Sequence, residues 1–265
     1  MGEITCSVII GHDLTLLRWC LENARARAGI THQWLVVNWI PAERPEVAGP
    51  IEAWCKVEGV QYCSFLGGAR PAAPQESTAW FLRQLYACWN LTYSAAQTKW
   101  VARMGSDTFF SKNWLARLLE AADAKGDRAV YHTWTVESPV AKRSRHDIQD
   151  WGSTWQEFDL IRFEAYASER AWRWQNQLVI PGEESGLFYQ HPTRGMQQRA
   201  DAVTWLQTRA LWDEFKPMKD HINEEGVSGD VDWFDRMADA GIKSYLVPAV
   251  TNFHLCRGES RSIQK

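Results

Sequence analysis

Short β-rich apolar runs alternate with helical patterns through the first half of the chain, and this alternation limits the folds open to it. Residues 4–10 (ITCSVII), 34–39 (WLVVNW), 59–65, 100–104 and 129–134 read as strands. Between them, 14–28, 51–56, 77–96 and 114–124 read as helices. In the first helix Leu14, Leu17, Leu21 and Ala24 share one face; in the third, Phe81, Leu85, Cys88, Trp89 and Thr92 keep helical spacing. Parallel strands need a crossover, and a helix supplies it. The pattern therefore predicts an α/β fold: a mostly parallel sheet flanked by helices. From Val136 to Arg199 the periodicity breaks down, yet the segment is too apolar for disorder and reads as an insertion folded over the sheet. Order returns with a strand at 202–206, helices at 208–215 and 230–240, and a strand at 244–247 that ends at Pro248.

Composition narrows the class. Lys plus Arg number 29 and Asp plus Glu 32, a balance that lacks the basic excess usual in nucleic-acid binders. The six cysteines are scattered without a CxxC pair, as reduced packing residues are. Met1 leads into the first strand with nothing resembling a signal peptide, and no run approaches the roughly 20 apolar residues of a membrane span. The expected location is cytoplasmic. Tryptophan is in excess at 16 residues, a supply of flat faces for a core or for stacking on sugars and bases.

The run from Trp100 to Met104 is cut off by Gly105, Ser106 and Asp107. A carboxylate at the carboxyl end of a buried strand sits where open α/β sheets bind ligands; Ser106 and Asp107 are equally good helix caps. Three further features fall into order with it. Gly11, His12 and Asp13 follow the first strand, Asn38 lies at the end of the second, and Gly229 with Asp230 opens a late helix followed by "RMADAGIKSYLVP".

This order resembles the GT-A glycosyltransferases, in particular the large inverting family with DxD and ED motifs, over about residues 4–134 and 202–257. The resemblance implies a single Rossmann-like GT-A catalytic domain over 1–265, with a nucleotide-binding half (1–134), an inserted acceptor-side segment (135–200), an acceptor and catalytic half (201–250) and a tail (251–265). It implies transfer of a sugar from a nucleotide donor, expected to be UDP-linked, to a hydroxyl acceptor with inversion. Gly11, His12, Asp13, Asn38, Asn90, Ser106, Asp107 and Arg257 fall at its nucleotide-sugar positions; Arg257 and Arg261 in the tail would clamp phosphate. Of the ARN segment only Asn90 is kept, and Gly105 stands where DxD has its first carboxylate. A divalent ion, Mn²⁺ or Mg²⁺, would sit between Asp107 and His254 of "VPAVTNFH". Asp230 is the expected general base, Asp232 its fallback, and each is also well placed to cap or stabilise a helix N-terminus. Trp205 and Trp233, with the tryptophans from Trp151 to Trp174, are expected to line the acceptor side.

Three other readings stand beside this one. The basic cluster at 142–146 and the indoles raise a hydroxymethylated base in DNA as acceptor, although such a cluster is more often a solvated face. The thinned metal motif raises a non-catalytic relative that binds nucleotide sugar. A nucleotidyltransferase would share sheet and metal, but the Gly-rich signature with Arg and Lys is missing after the first strand.

Overall fold

The computed structural model describes residues 4–10, 13–140, 147–175, 187–191, 195–199, 203–219 and 229–255. The expected Gly11, His12, Arg257 and Arg261 and the basic cluster at 142–146 lie outside them.

The chain runs β1 (Ile4–Ile10), α1 (Leu14–Ala26), β2 (Gln33–Ile40), α2 (Ala48–Val57), β3 (Gln61–Leu66), α3 (Pro74–Ala95) and β4 (Trp100–Gly105). It continues with β5 (Thr108–Phe110), α4 (Trp114–Lys125), β6 (Ala129–Glu137), β7 (Asp147–Ile148) and α5 (Leu160–Gln175). Then come β8 (Leu187–His191), β9 (Gly195–Arg199), β10 (Trp205–Thr208), α6 (Arg209–Phe215), α7 (Gly229–Asp239) and β11 (Lys243–His254). The main sheet has the order β3-β2-β1-β4-β10-β6-β11-β5, with β7 beside β6; β8 and β9 form a separate antiparallel pair.

Pairing fixes direction. β1 is parallel to β2 and β4, β2 to β3, and β6 to β11. β10 is antiparallel to both β4 and β6, so those two run the same way. β1, β2, β3, β4, β6 and β11 thus end at one edge, which collects Ile10, Asn38, Gly105, Glu137 and His254. The expected mostly parallel α/β sheet is the one observed.

Even-numbered residues of β1, β2 and β4 (Val8, Val36, Ala102) meet α1, α2 and α4 in one apolar cluster. The opposite face carries Val101, Val130 and Trp205 against α3, α6 and α7. This two-sided burial is why the strands read as nearly unbroken apolar runs.

Two expectations change. The strand expected to stop at Pro248 continues to His254. Pro248 offers no N–H to the ladder, and the chain bulges instead: Val247 pairs with Thr133, and the next partner of β6 is Thr251, opposite Trp134. The aperiodic segment after Val136 contains α5, whose Phe163, Ala167 and Ala171 are buried at a spacing of four. Phe163 packs with Phe109, Trp151 and Phe158. Among the described residues no helix is long and apolar enough to cross a membrane.

The acceptor role expected for Trp205 and Trp233 is corrected by their burial, 0% exposed for both. Trp205 donates from Nε1 to Tyr93 Oη at 2.6 Å, lies 5.2 Å from Trp89 and stands under the Arg103 guanidinium at 4.6 Å. Trp233 lies between Trp205 and Trp212. A ring enclosed in this way cannot stack on a sugar. Trp151 is likewise buried, while Trp172 and Trp174 stay exposed on α5. Replacing Trp205 by Ala is expected to cost roughly 3 to 5 kcal/mol of stability, measured by urea unfolding. Loss of acceptor KM at unchanged stability would instead restore a surface role.

Candidate active site

Asp107 lies in the turn between β4 and β5 and is buried, at 3% exposure. The turn is held from two sides. Cys20 of α1 places its thiol 3.3 Å from the Gly105 carbonyl and 3.2 Å from that of Thr108, and burial pushes this thiol up to about 12. From the other side, the Asp107 carbonyl accepts from the Leu255 N–H at 3.0 Å.

That backbone bond follows from β5 pairing with the end of β11, where His254 lies opposite Thr108. His254 Nε2 stands 3.2 Å from Asp107 Oδ1, and Nδ1 stands 3.1 Å from Glu137 Oε1. The second contact comes from the parallel register, in which His254 faces Glu137 at the ends of β11 and β6. One imidazole thus sits between two buried carboxylates. Sequence reasoning missed Glu137 because it ended that strand at Trp134. The available signal was the one used for Asp107, an apolar strand closing on a carboxylate.

A divalent ion suits this arrangement. A carboxylate on His254 Nδ1 selects the tautomer with a proton on Nδ1 and leaves Nε2 as a lone-pair donor, the usual arrangement behind a metal-bound histidine. The 3.2 Å between Nε2 and Asp107 Oδ1 is close to the separation of about 3.0 Å between adjacent ligands on an octahedral ion with bonds of about 2.1 Å. Among the described residues no group of three or more His, Cys, Asp or Glu side chains is set to hold a metal. Two protein ligands would therefore leave positions for substrate oxygens and water, which is how Mg²⁺-type sites are commonly completed. At Gly105 a Cβ would lie 2.9 Å from Thr108 Oγ1 and 3.3 Å from Asp107 Oδ1, so any side chain there would have to displace the Thr108 hydroxyl and crowd the Asp107 carboxylate.

Asp230 lies in the first turn of α7. This helix leads back to the start of β11, so its first turn faces the edge where β11 ends. The carboxylate is 4% exposed and accepts from Tyr86 Oη at 2.7 Å. Asp232 is engaged differently: Lys219 Nζ at 2.7 Å and Arg236 Nε at 3.0 Å hold it in a structural ion-pair network. Its catalytic fallback role is therefore set aside.

The other expected residues have separate tasks. Asp13 caps α1, accepting from the Leu16 N–H at 2.8 Å, and is exposed. Asn38 is buried and donates to Tyr62 Oη at 3.0 Å. Asn90 uses both ends of its amide on the Met218 backbone, each at 3.0 Å, which ties α3 to the chain after α6 and takes the side chain away from a nucleotide. Ser106 is half-buried in the Asp107 turn. Of the expected set, the structure brings Asp107 and His254 into contact.

Residues 83–182 match the family model of Glycosyl transferase family 2. The match runs beyond residue 134 into the segment that the sequence resemblance left uncovered. No curated protein matches the chain in sequence. Among solved structures, the crystal structure of GalNAc-T7 with UDP, GalNAc and Mn²⁺ has a TM-score of 0.51 at 11% identity, covering 96% of this chain and 44% of that one. The mannosyltransferase PcManGT from Pyrobaculum calidifontis, in complex with GDP-Man and Mn²⁺, gives 0.54 at 11% identity, covering 97% of this chain and 58% of that one. The chain thus spans about half the length of these structures. Nothing in these likenesses favours modified DNA as an acceptor. The chain thus has the GT-A fold of these structures, and its segment 83–182, with most of α3, the Asp107 turn and α5, resembles the large inverting family of Glycosyl transferase family 2.

Proposed function

We propose that the chain transfers a sugar from a nucleotide diphosphate donor to a hydroxyl acceptor with inversion at the anomeric carbon. The observation that carries this reading is the Asp107–His254–Glu137 cluster at the carboxyl edge of a GT-A sheet. Asp107 and His254 would hold a divalent ion whose charge offsets that of the departing diphosphate. An oxygen and an imidazole nitrogen together favour Mn²⁺ over the harder Mg²⁺. UDP is the proposed nucleotide, with Asn38 near the base or ribose. Residues 1–134 would bind the nucleotide, 201–250 supply the base, and the insertion of 135–200 border the acceptor.

Asp230 is the proposed general base. The acceptor O–H breaks and its proton passes to the Asp230 carboxylate. The oxygen forms a bond to the anomeric carbon as the bond from that carbon to phosphate breaks, its electron pair leaving with the diphosphate. Attack in line with the leaving group gives inversion. A positioned base contributes about 10²–10⁴-fold. Burial of Asp230 fits this role, because proton transfer there is shielded from bulk water.

Asp230→Asn is expected to lower kcat about 10²–10⁴-fold while UDP binding in Mn²⁺ stays intact, measured by UDP release and calorimetry on a panel of sugar nucleotides. Binding without turnover in the wild type as well would favour the non-catalytic reading. Failure to bind any sugar nucleotide, with or without metal, sinks both. Glu137→Gln is expected to weaken Mn²⁺ binding about 10- to 100-fold, followed by the free-Mn²⁺ signal in electron paramagnetic resonance with UDP present. Unchanged affinity would remove Glu137 and His254 from the metal site.

A further inference from the structure

Asp230 and Tyr86 come from elements 144 positions apart and meet inside the protein. Tyr86 is 2% exposed and Asp230 4%. The phenol belongs to α3, where Trp89, less than one turn further on, meets it edge-on at 5.3 Å. The other side of the contact depends on Gly229. A Cβ there would lie 1.9 Å from the Lys219 carbonyl oxygen and 3.1 Å from Tyr86 Cδ2. Only glycine lets the 219 backbone and the Tyr86 ring close on the first turn of α7. In the resembling family a glutamate precedes this aspartate; here that side chain is absent and the phenol stands beside the carboxylate.

We propose that Tyr86 is a positioning residue for Asp230, its hydroxyl holding the carboxylate ionised and oriented to take the acceptor proton. The proposal rests on Asp230 being the base. A buried carboxylate is pushed towards its protonated form by desolvation, and a donated hydrogen bond opposes this by favouring the charged form. Other ionisable groups stand around this part of the core. Arg103 of β4 lies over Trp89 at 3.5 Å, His132 of β6 lies against Phe234 of α7 at 5.9 Å, and Asp232 is tied to Lys219 and Arg236. Tyr86→Phe deletes one oxygen and leaves all of these in place, so its effect on the pH profile belongs to the phenol.

The sign follows from the chemistry. A base works ionised, so kcat/KM rises with pH through its pKa. Losing a donor to the carboxylate raises that pKa and moves the acid limb to higher pH. A hydrogen bond to a charged group is worth a shift of about one pH unit. The test measures kcat/KM against pH by UDP release from a UDP-hexose that the full-length wild type turns over, for wild type, Tyr86→Phe and Asp230→Asn. Tyr86→Phe is expected to shift the acid limb up by about one unit and to keep the high-pH plateau and UDP–Mn²⁺ affinity. Incorporating 3-fluorotyrosine at 86, a stronger donor of nearly the same shape, is expected to move the limb the other way, and it serves if Tyr86→Phe does not fold. A profile that superimposes on wild type, or falls equally at every pH, overturns the positioning role. A fully active Asp230→Asn instead overturns the base assignment.

Discussion

The register between β6 and β11 is the constraint on which the Asp107–His254–Glu137 cluster, the proposed metal edge, depends. Had the pairing of Val247 with Thr133 continued unbroken, Thr251 would stand opposite Glu137 and His254 would lie three residues past the end of β6. The bulge at Pro248 leaves three residues of β11 unmatched, so His254 arrives opposite Glu137. Because three is odd, the bulge also inverts the alternation of faces. Val247 shares its face with the α4 side of the core, whereas beyond the bulge it is Asn252 and His254 that share a face with Thr133 and Glu137. A proline that interrupts the ladder thereby sets both the position and the direction of a candidate ligand.

The proposed metal cluster and the proposed base are built on separate supports. Asp107, His254 and Glu137 hang on β4, β11 and β6 and are fixed by backbone pairing together with the Cys20 contacts under the turn. Asp230 hangs on α7 and is fixed by an aromatic core in which Tyr86, Trp89, Trp205 and Trp233 succeed one another in edge or tilted contact. Arg103 joins that core from the sheet, its guanidinium over Trp89 and Trp205 and its NH1 donating to the Val203 carbonyl. A charge enclosed by indoles is compensated partly by their π faces. Four of the 16 tryptophans, Trp89, Trp205, Trp212 and Trp233, hold α3, α6 and α7 to the sheet in this way. The exposed Trp172 and Trp174 belong instead to α5.

Local order was largely legible along the chain. Runs such as 4–10, 34–39 and 100–104 are buried on both sheet faces, and continuous apolarity is what such strands require. The helix over 230–240 showed through its glycine stop at 241. α5 escaped because its buried side, Phe163, Ala167 and Ala171, is made largely of alanine, and tryptophan and isoleucine lie on its exposed side. Apolar periodicity points the wrong way in such a helix.

The sequence alone therefore determined the sheet-and-helix alternation, the carboxyl-edge position of Asp107, and the pairing of Asp107 with His254 through family resemblance. These rest on short-range pattern or on the order of motifs, which a linear reading preserves. Only the tertiary structure decided that Glu137 joins His254, that Tyr86 joins Asp230, that Asn90 and Asp232 are structural, and that Trp205 and Trp233 are core. Each depends on which residues face one another across elements dozens of positions apart. Strand register and helix packing set that, and single-residue chemistry does not encode it.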